Sequence, residues 1–513
     1  MLKKIIFLSN KKYSLRADKS FLFLIILTGT ILRILLAINT QIWFDEALSI
    51  YIARVPVIKL LPFIIARSWE QQPLLYSLLL KLLLNFNLSE LWLRMLSVCC
   101  GVAVIYMTYK LALLVFDKYV GLLSASLVAF NGTFLNYSCQ LRVYMVWVLL
   151  SILSLYFLVK LIANPSRKNI IFHILFTALA IYAHYFGFFL LLAELLLLFL
   201  NKQSSKLNVR LRFLVLSCII ILVIPHVIYA FIKFKYFAIF GEYYAANNAT
   251  PLTILSLFKE YSDYSGIFIL YFSIISCVLI KKIKLNVFKG GLRGSLKQII
   301  NYVFFDLRMS LVFFYFFIPI TIVFIISQYK YAVFHEYRFF LPFFIFYYFV
   351  IAWACSLSGE RFKKWLFASL VLITFLNASH YSALAIKNSS SQSVSREFKK
   401  ITKSLKSGLE KDDILAVSNI YKNAAIFNYV NRPIRIITSP QSIKKAFLLR
   451  SFSWQEDEII KDFSMLKNEK RIWLITDKDV ESSIEWFTKN PQVKLLEERN
   501  IDSSKLLLYR INN

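Results

Sequence analysis

Two adjacent carboxylates stand where an apolar segment ends. Asp45 and Glu46, in Gln41-Ile-Trp-Phe-Asp-Glu-Ala, follow within a few residues of the apolar run Phe21–Ile38. Paired acids at a membrane–water boundary could supply a general base that deprotonates an acceptor hydroxyl. They suit equally the first turn of a helix running to Arg54, where negative charge complements the helix dipole. Spacing alone leaves both readings open. Downstream come Trp69-Glu-Gln-Gln-Pro-Leu-Leu-Tyr76, with Glu70, Gln72 and Tyr76 as polar candidates, and Ser89-Glu-Leu-Trp-Leu-Arg94. Each also reads as a helix start, with Pro73 in the first turn of one and Ser89 as cap of the other.

A second group is cationic. Arg142 and Tyr144 lie in Gln140-Leu-Arg-Val-Tyr144, and Arg338 lies in His335-Glu-Tyr-Arg338, with Lys330 and Tyr331 shortly before it. Guanidinium binds phosphate through paired hydrogen bonds; the alternative is snorkelling to lipid phosphates. His184 and Tyr185, in Ala183-His-Tyr-Phe-Gly187, form a turn between two apolar runs. His184 reads as a satisfied turn residue or as a hydrogen-bonding partner for a substrate. The five histidines include no HxxH or HxxxH pair, so a metal site has no support. Glu194 falls inside an apolar run, where an acid is costly.

The elements that must hold these residues are membrane helices. Hydrophobic residues make up 58% of the 513 and aromatic ones 17%. Runs near the ~20 residues that span a bilayer recur through the first three quarters of the chain, and only helices satisfy their own backbone there. Spans are expected at 21–39, 92–116, 119–137, 142–162, 169–183, 185–200, 211–232, 266–281, 310–327, 337–357 and 365–381. The run Leu74–Phe86 is too short and is expected to lie at the membrane surface or re-enter it.

The net charge of +31 gathers in short loops: the arm Lys3 to Lys19, Arg167/Lys168, Lys202 to Arg212, Lys281 to Arg293 and Arg361 to Lys364. That is the positive-inside pattern rather than a nucleic-acid surface. It places the N-terminus inside, and the loops 40–91, Tyr137–Leu141, Lys233–Ser265 and Gln328–Glu336 outside, together with the tail. The six cysteines lie in or beside apolar segments without metal or CxxC spacing, so neither disulfides nor zinc are indicated. From Asn388 onward the chain holds 16 of the 29 acids. A Ser-rich linker, Asn388–Ser395, leads there to β-rich runs at Ile414–Ser418, Ile434–Thr438, Ile472–Thr476 and Val493–Leu496, which alternate with helical ones. That suggests a small α/β layer. With Gly408 the only glycine in the tail, a phosphate loop is absent.

The fold class expected is therefore a polytopic α-helical membrane protein of about eleven spans, N-terminus in and C-terminus out. Its parts are a basic cytoplasmic arm (1–20), a membrane domain (21–387) that includes a long first outer loop (40–91), and an extracytoplasmic α/β domain (388–513).

In order along the chain, Trp43-Phe-Asp-Glu46, Glu70-Gln-Gln-Pro-Leu-Leu-Tyr76, Ser89-Glu90…Arg94, Gln140…Arg142-Val-Tyr144, His184-Tyr-Phe-Gly187 and Tyr337-Arg-Phe-Phe-Leu-Pro342 resemble the polyprenyl-phosphate-dependent membrane glycosyltransferases of the GT-C superfamily. The nearest branch holds protein O-mannosyltransferases and aminoarabinose transferases. The resemblance covers most of residues 20–360. It implies an inverting hexosyl- or pentosyltransferase of the bacterial inner membrane with an extracytoplasmic site. The partners it implies are a polyprenyl-phosphate-linked sugar, an envelope acceptor (lipid, glycan or protein) and membrane lipids, with no nucleic acid. Asp45 then corresponds to the essential acid of the first outer loop, with Glu46 beside it; Arg142 and Arg338 lie near the lipid phosphate, and His184 near the sugar. Relatives often carry two prolines after a His or Lys where this chain has Gln72-Pro73-Leu74, so Gln72 can offer only neutral hydrogen bonds to phosphate. A monophosphate leaving group does not make a metal or other cofactor obligatory. The rival reading is a polyprenyl-linked lipid or sugar transporter, which would place its ionisable residues near the bilayer midplane.

Overall fold

A computed structural model describes residues 15–40, 42, 44–66, 74–86, 89–201, 204, 207–239, 249–263, 266–276, 306–329, 337–391, 400–405, 407–410, 412–418, 434–437, 459–460, 466, 470–477, 485–501 and 504–511. The helices in chain order are α1 (Leu15–Asn39), α2 (Phe44–Arg54), α3 (Val57–Ala66), α4 (Leu74–Leu84), α5 (Glu90–Val115), α6 (Lys118–Phe130) and α7 (Gly132–Ser138). They continue with α8 (Tyr144–Ala163), α9 (Arg167–Ala183), α10 (Gly187–Leu200), α11 (Val209–Ile239), α12 (Pro251–Glu260) and α13 (Gly266–Ser276). Next come α14 (Leu307–Val312), a π-helical turn (Phe313–Phe317), α15 (Ile318–Tyr329), a 3-10 turn (Tyr337–Phe340), α16 (Leu341–Ser356) and α17 (Glu360–Ser391).

Among the described residues, seven stretches are helical, long and apolar enough to cross a membrane: 18–39, 90–115, 144–163, 209–232, 307–328, 337–356 and 360–387. Their burial differs in a way that water would not tolerate. The stretch 337–356 is 83% buried, whereas 360–387 is 22% buried and 18–39 and 209–232 are 33% buried. On α1, Phe23, Leu27, Ile31 and Leu35 form one exposed stripe, and on α11 Ile220, Ile221, Ile224 and Ile228 do the same. Apolar stripes of this length belong in lipid. The protein is a polytopic helical membrane protein.

Contacts divide the chain into two compact units. The larger takes residues 1–38, 94–230 and 239–386. Its packing centres on α16 against α6, α8 and the π-helical turn. Side chains close several helix ends. Asp117 caps α6 through the Val120 N–H, Ser166 caps α9 through Asn169, and Thr250 with Thr253 makes a capping box before Pro251 on α12. The expected span 119–137 is interrupted. Asn131 is extended, and its side chain accepts the Phe134 N–H at 3.0 Å, so α6 ends and α7 begins there. A polar side chain that competes for backbone donors gives the chain a local alternative to the helix.

The second unit takes residues 39–93, 231–238 and 387–513. Within 39–93, α2 packs on α4 and α3. The run expected at Leu74–Phe86 forms the eleven-residue α4, short of the ~20 needed to span. In the tail, α17 runs through Ser391, so the first residues of the expected Ser-rich linker are helical. Among the described residues six strands follow: β1 (Ile414–Val417), β2 (Ile434–Ile437), β3 (Ile459–Ile460), β4 (Arg471–Asp477), β5 (Val493–Ile501) and β6 (Ser504–Ile511), in sheet order 3-2-1-4-6-5. The first four are parallel, and β6 and β5 add antiparallel. All four expected strands are present, and β3 and β6 are additional. Ile472 and Leu474 share a buried face with Leu507, Tyr509 and Ile511, the two-residue period of a strand. On the other face, Trp473 donates to Asp413 at 3.0 Å and lies under Arg499.

Candidate active site

Four of the residues singled out from the sequence converge in the larger unit. The guanidinium carbons of Arg142 and Arg338 lie 5.9 and 5.7 Å from the centroid of the same Tyr144 ring. His184 lies beside that ring at 6.3 Å and beside Phe339 at 4.9 Å. Arg142, Tyr144 and His184 are buried, and Arg338 is half-buried. Two like charges held at one ring favour an anion that both can reach. The ring's electron-rich face offsets part of their repulsion.

His184 is held as a neutral donor. Burial pushes its pKa down to about 3, and the nearby Arg338 and Arg142 push it the same way. Its Nδ1 accepts the Phe186 N–H at 3.2 Å, so the proton of the neutral ring sits on Nε2. The ring rests on Trp147, centroids 4.4 Å apart. The turn that carries it closes tightly onto α9: a Cβ at Gly187 would sit 2.6 Å from the Ile181 Cα. Glycine is required there by space.

Arg33 on α1 secures the segment that bears Arg142. Fully buried, it donates to the carbonyls of Ala129 at 3.0 Å and Val128 at 3.3 Å, closing α6, and to the Ser138 hydroxyl at 3.1 Å, near the end of α7. The Cys139 thiol donates back to the Arg33 carbonyl at 3.2 Å. Asp263 holds the other end of α7. Its Oδ1 accepts from the Gly132 N–H at 2.9 Å and the Asn131 amide at 2.7 Å, and its Oδ2 from the Asn377 amide at 3.2 Å. Asp263 itself sits at φ 64°, a conformation short polar residues tolerate better than most. The carboxyl pKa is pushed up to about 7, by burial first.

In the second unit, Asp45 and Glu46 occupy the first turn of α2, as one of the two readings had it. They differ in access: Glu46 is fully buried, while Asp45 is partly exposed. The opposite end of α2 is closed from α4, where the Lys81 ammonium donates to the carbonyls of Ala53 at 3.1 Å and Val55 at 2.7 Å. Tyr76 is fully buried on α4. Glu70, Gln72, Lys330 and Tyr331 lie outside the described residues. Tyr185 is stacked on His226 of α11 at 5.5 Å, with Tyr229 at 6.5 Å. Arg94, in the larger unit, is buried and donates to the Ala37 carbonyl at 3.0 Å.

Trp147, Phe339 and Asp263 were not anticipated as part of this arrangement. Trp147 carried a faint signal, three residues after Tyr144 and so on the same helical face. Asp263 carried none, because its partners Gly132 and Asn377 are more than a hundred positions away. Among the described residues no three His, Cys, Asp or Glu side chains come together as metal ligands would.

Comparison with known proteins agrees with this architecture. Residues 71–229 match the family of dolichyl-phosphate-mannose-protein mannosyltransferases. The fold is similar to that of ArnT from Cupriavidus metallidurans bound to undecaprenyl phosphate, with TM-score 0.63 and 11% identity over 95% of this chain and 97% of that one. The apo state of the same protein gives TM-score 0.63 and 10% identity over 96% and 98%. No curated protein sequence matches the chain. The resemblance to the GT-C superfamily is borne out by the family match and by the fold.

Proposed function

We propose that this protein is an inverting glycosyltransferase. It moves a sugar from a polyprenyl-phosphate donor to an envelope acceptor at the outer face of the bacterial inner membrane. The observation that carries the reading is the convergence of Arg142 and Arg338 on Tyr144 beside a neutral His184. A lipid phosphate offers the anion that two guanidiniums would hold, and the adjoining sugar offers hydroxyls to the Nε2–H of His184. The family match at 71–229 and the ArnT-like fold support the same class of chemistry.

In the mechanism that follows, Asp45 takes the proton of the acceptor hydroxyl while its oxygen forms a bond to the anomeric carbon. The bond from that carbon to the phosphate oxygen breaks, and the polyprenyl phosphate leaves with the electron pair. The arginines stabilise the charge that grows on the leaving oxygen. Asp45 rather than Glu46 takes the base role because Glu46 has no exposed surface and a base must reach the proton. With both arginines on the phosphate, the reading does not require a metal ion. The tail, extracytoplasmic in this reading, serves acceptor binding or support.

The test is transfer by the purified protein from a polyprenyl-phosphate sugar radiolabelled in the sugar. Label should move to an envelope fraction and leave unlabelled polyprenyl phosphate. Donor that moves between leaflets of a reconstituted vesicle without cleavage would establish transport instead.

A further inference from the structure

A carboxyl group lies inside the helical bundle with hydroxyls as its only hydrogen-bond partners among the described residues. Glu194 on α10 is 1% exposed. Its oxygens accept from the Ser154 hydroxyl on α8 and, at 3.0 Å, from the Thr177 hydroxyl on α9. The two hydroxyl oxygens are 2.6 Å apart, and Thr177 also reaches the His173 carbonyl at 2.8 Å. His173 closes the cluster, its Nδ1 3.3 Å from the Ser154 carbonyl and 3.3 Å from the Thr177 oxygen.

Proton counting shows that something is missing. Apart from the His173 ring nitrogen, which lies within 3.4 Å of the Ser154 and Thr177 hydroxyl oxygens and of the Ser154 carbonyl, four polar contacts meet here: Ser154 with Glu194, Thr177 with Glu194, Ser154 with Thr177, and Thr177 with the His173 carbonyl. The two hydroxyls own one proton each and can satisfy two of the four. A third proton on Glu194, donated to Thr177, frees the Thr177 proton for the carbonyl and satisfies a third contact. Charge leads to the same place. A carboxylate taken out of water costs several kcal/mol unless a cation accompanies it, and no Lys or Arg is among its partners.

One helical turn from Glu194 along α10 and from Ser154 along α8, a cavity of about 10 Å³ is lined by Leu190, Ser151, Tyr315 and the apolar face of α16. That is close to the ~10–15 Å³ one water needs. Among the described residues Ser151 Oγ and Tyr315 OH are buried without a hydrogen-bond partner, as is Trp147 Nε1 one turn further along α8. On the far side of the cluster His173 Nε2 is likewise buried and unpartnered. Tyr315 belongs to the π-helical turn, a departure from α-helix that often marks a functional position. The groups facing Glu194 are thus Ser151 and Ser154 from α8, His173 and Thr177 from α9, and Tyr315 from the π-helical turn. The cavity-lining residues of α16 (Pro342, Phe343, Ile345 and Phe346) are apolar.

We propose that this cluster is an intramembrane binding site for one proton, carried by Glu194 and reached through a water held between Ser151 and Tyr315. The proton ties α8, α9 and α10 together beneath the turn that carries His184. The proposal is independent of the glycosyl-transfer reading, since it requires no donor or acceptor.

Infrared spectroscopy of the full-length protein in lipid tests it. At neutral pH the wild type should show a carboxylic-acid carbonyl band that Glu194→Gln lacks, while the amide, which carries its own hydrogens to Thr177, keeps the protein folded. A difference spectrum that lacks an acid band and shows instead loss of an ionised carboxylate would overturn the proposal. Loss of the band on adding sodium chloride but not choline chloride would also overturn it, by assigning the site to a sodium ion. A measurement without any variant guards against misfolding of Glu194→Gln. Dicyclohexylcarbodiimide, an apolar reagent for protonated carboxyls, should modify Glu194 in the wild type, with a yield that falls as the pH is raised. Peptide mapping that finds Glu194 unmodified at every pH would count against the proton.

Discussion

The imidazole of His184 lies nearly flat on the indole of Trp147, with ring centroids 4.4 Å apart and planes inclined by 23°. The contact fixes the ring plane, and the Phe186 N–H on Nδ1 fixes the tautomer. Together they leave one Nε2–H pointing in a determined direction. His184→Phe should keep the stack and lose the donor. Transfer per folded molecule should fall by roughly 3- to 10-fold, the usual worth of one neutral hydrogen bond, and the unfolding midpoint should drop modestly because the buried Phe186 N–H loses its acceptor. Trp147→Ala should lower the midpoint further, because a buried aromatic side chain is worth about 3–5 kcal/mol. A thermal shift assay beside the transfer assay separates the two outcomes.

The shared Tyr144 ring makes a different prediction for the arginines. Each guanidinium of Arg142 and Arg338 can present a flat, forked pair of donors to phosphate, which an ammonium cannot. Arg338→Lys should therefore behave nearly as badly as Arg338→Ala. Both should weaken donor binding by about 10-fold or more, since a charged hydrogen bond is worth roughly 1.5–3 kcal/mol. The double change Arg142→Ala with Arg338→Ala should cost less than the sum of the single ones, because residues that share a partner are coupled. Full additivity in a donor-binding titration would argue that the two bind separate groups.

Asp45→Asn should abolish transfer while leaving donor binding nearly intact. Asn keeps the shape and polarity of the first turn of α2 but cannot take a proton. The loss expected from base catalysis alone is about 10²–10⁴-fold. Glu46→Gln is the contrasting variant, because a side chain with no exposed surface acts through packing. It should change the unfolding midpoint more than the rate per folded molecule. Asp45→Asn with near-normal turnover would move the base to Glu70.

How much of this could be read from the sequence follows from the range of the forces involved. Each expected span meets helix, because apolar runs near the thickness of a bilayer have one way to satisfy their backbone. The break at Asn131 stayed hidden, since its own cap is a single side-chain contact to the Phe134 N–H and Asp263, which holds the Asn131 amide and the Gly132 N–H, is more than a hundred positions away. The strands at 414, 434, 472 and 493 announced themselves through β-branched runs. β3 is two residues long and exists only because β2 offers it an edge. Of the candidate residues, Arg142, Tyr144, His184 and Arg338 met in one place, and positively charged residues against the topological bias were the signal. Arg33 gave the opposite lesson: inside an apolar run it reads as an anomaly, yet it works as a clamp on three carbonyls and a hydroxyl.

Orientation is open to a direct chemical test. If the basic loops are cytoplasmic, single cysteines placed at the half-buried Arg338 or at the exposed Lys494 of the tail lie on the outer side. In a background without the native cysteines, they should react in intact spheroplasts with a thiol reagent that cannot cross the membrane. Cysteines placed at Arg167 and Arg361 should react only after lysis. The reverse pattern would invert the topology and remove the outer-face mechanism with it.

The last prediction concerns pH. Burial raises the Asp263 carboxyl from an ordinary 3.8 to about 7, although Gly132, Thr133 and Asn377 donate to it and act the other way; nearby Glu260 adds a small upward push. A folded state that holds a proton more tightly than the unfolded chain gains stability where that proton is bound. The contribution is fully present below about pH 3.8 and is lost as the pH rises through about 7. At about 1.4 kcal/mol per unit, the shift corresponds to something on the order of 4 kcal/mol. The apparent unfolding midpoint of the wild type should accordingly fall between mildly acidic and mildly alkaline buffer. Asp263→Asn should flatten that fall. Its carbonyl oxygen can still accept from Gly132 and Asn131, and its amide needs only a flip of the Asn377 amide to find an acceptor. The variant should match the wild type in acid and exceed it in alkali. If Asp263→Asn instead shifts the midpoint by the same amount at every pH, the carboxyl does not titrate in this window, and its role is hydrogen bonding alone.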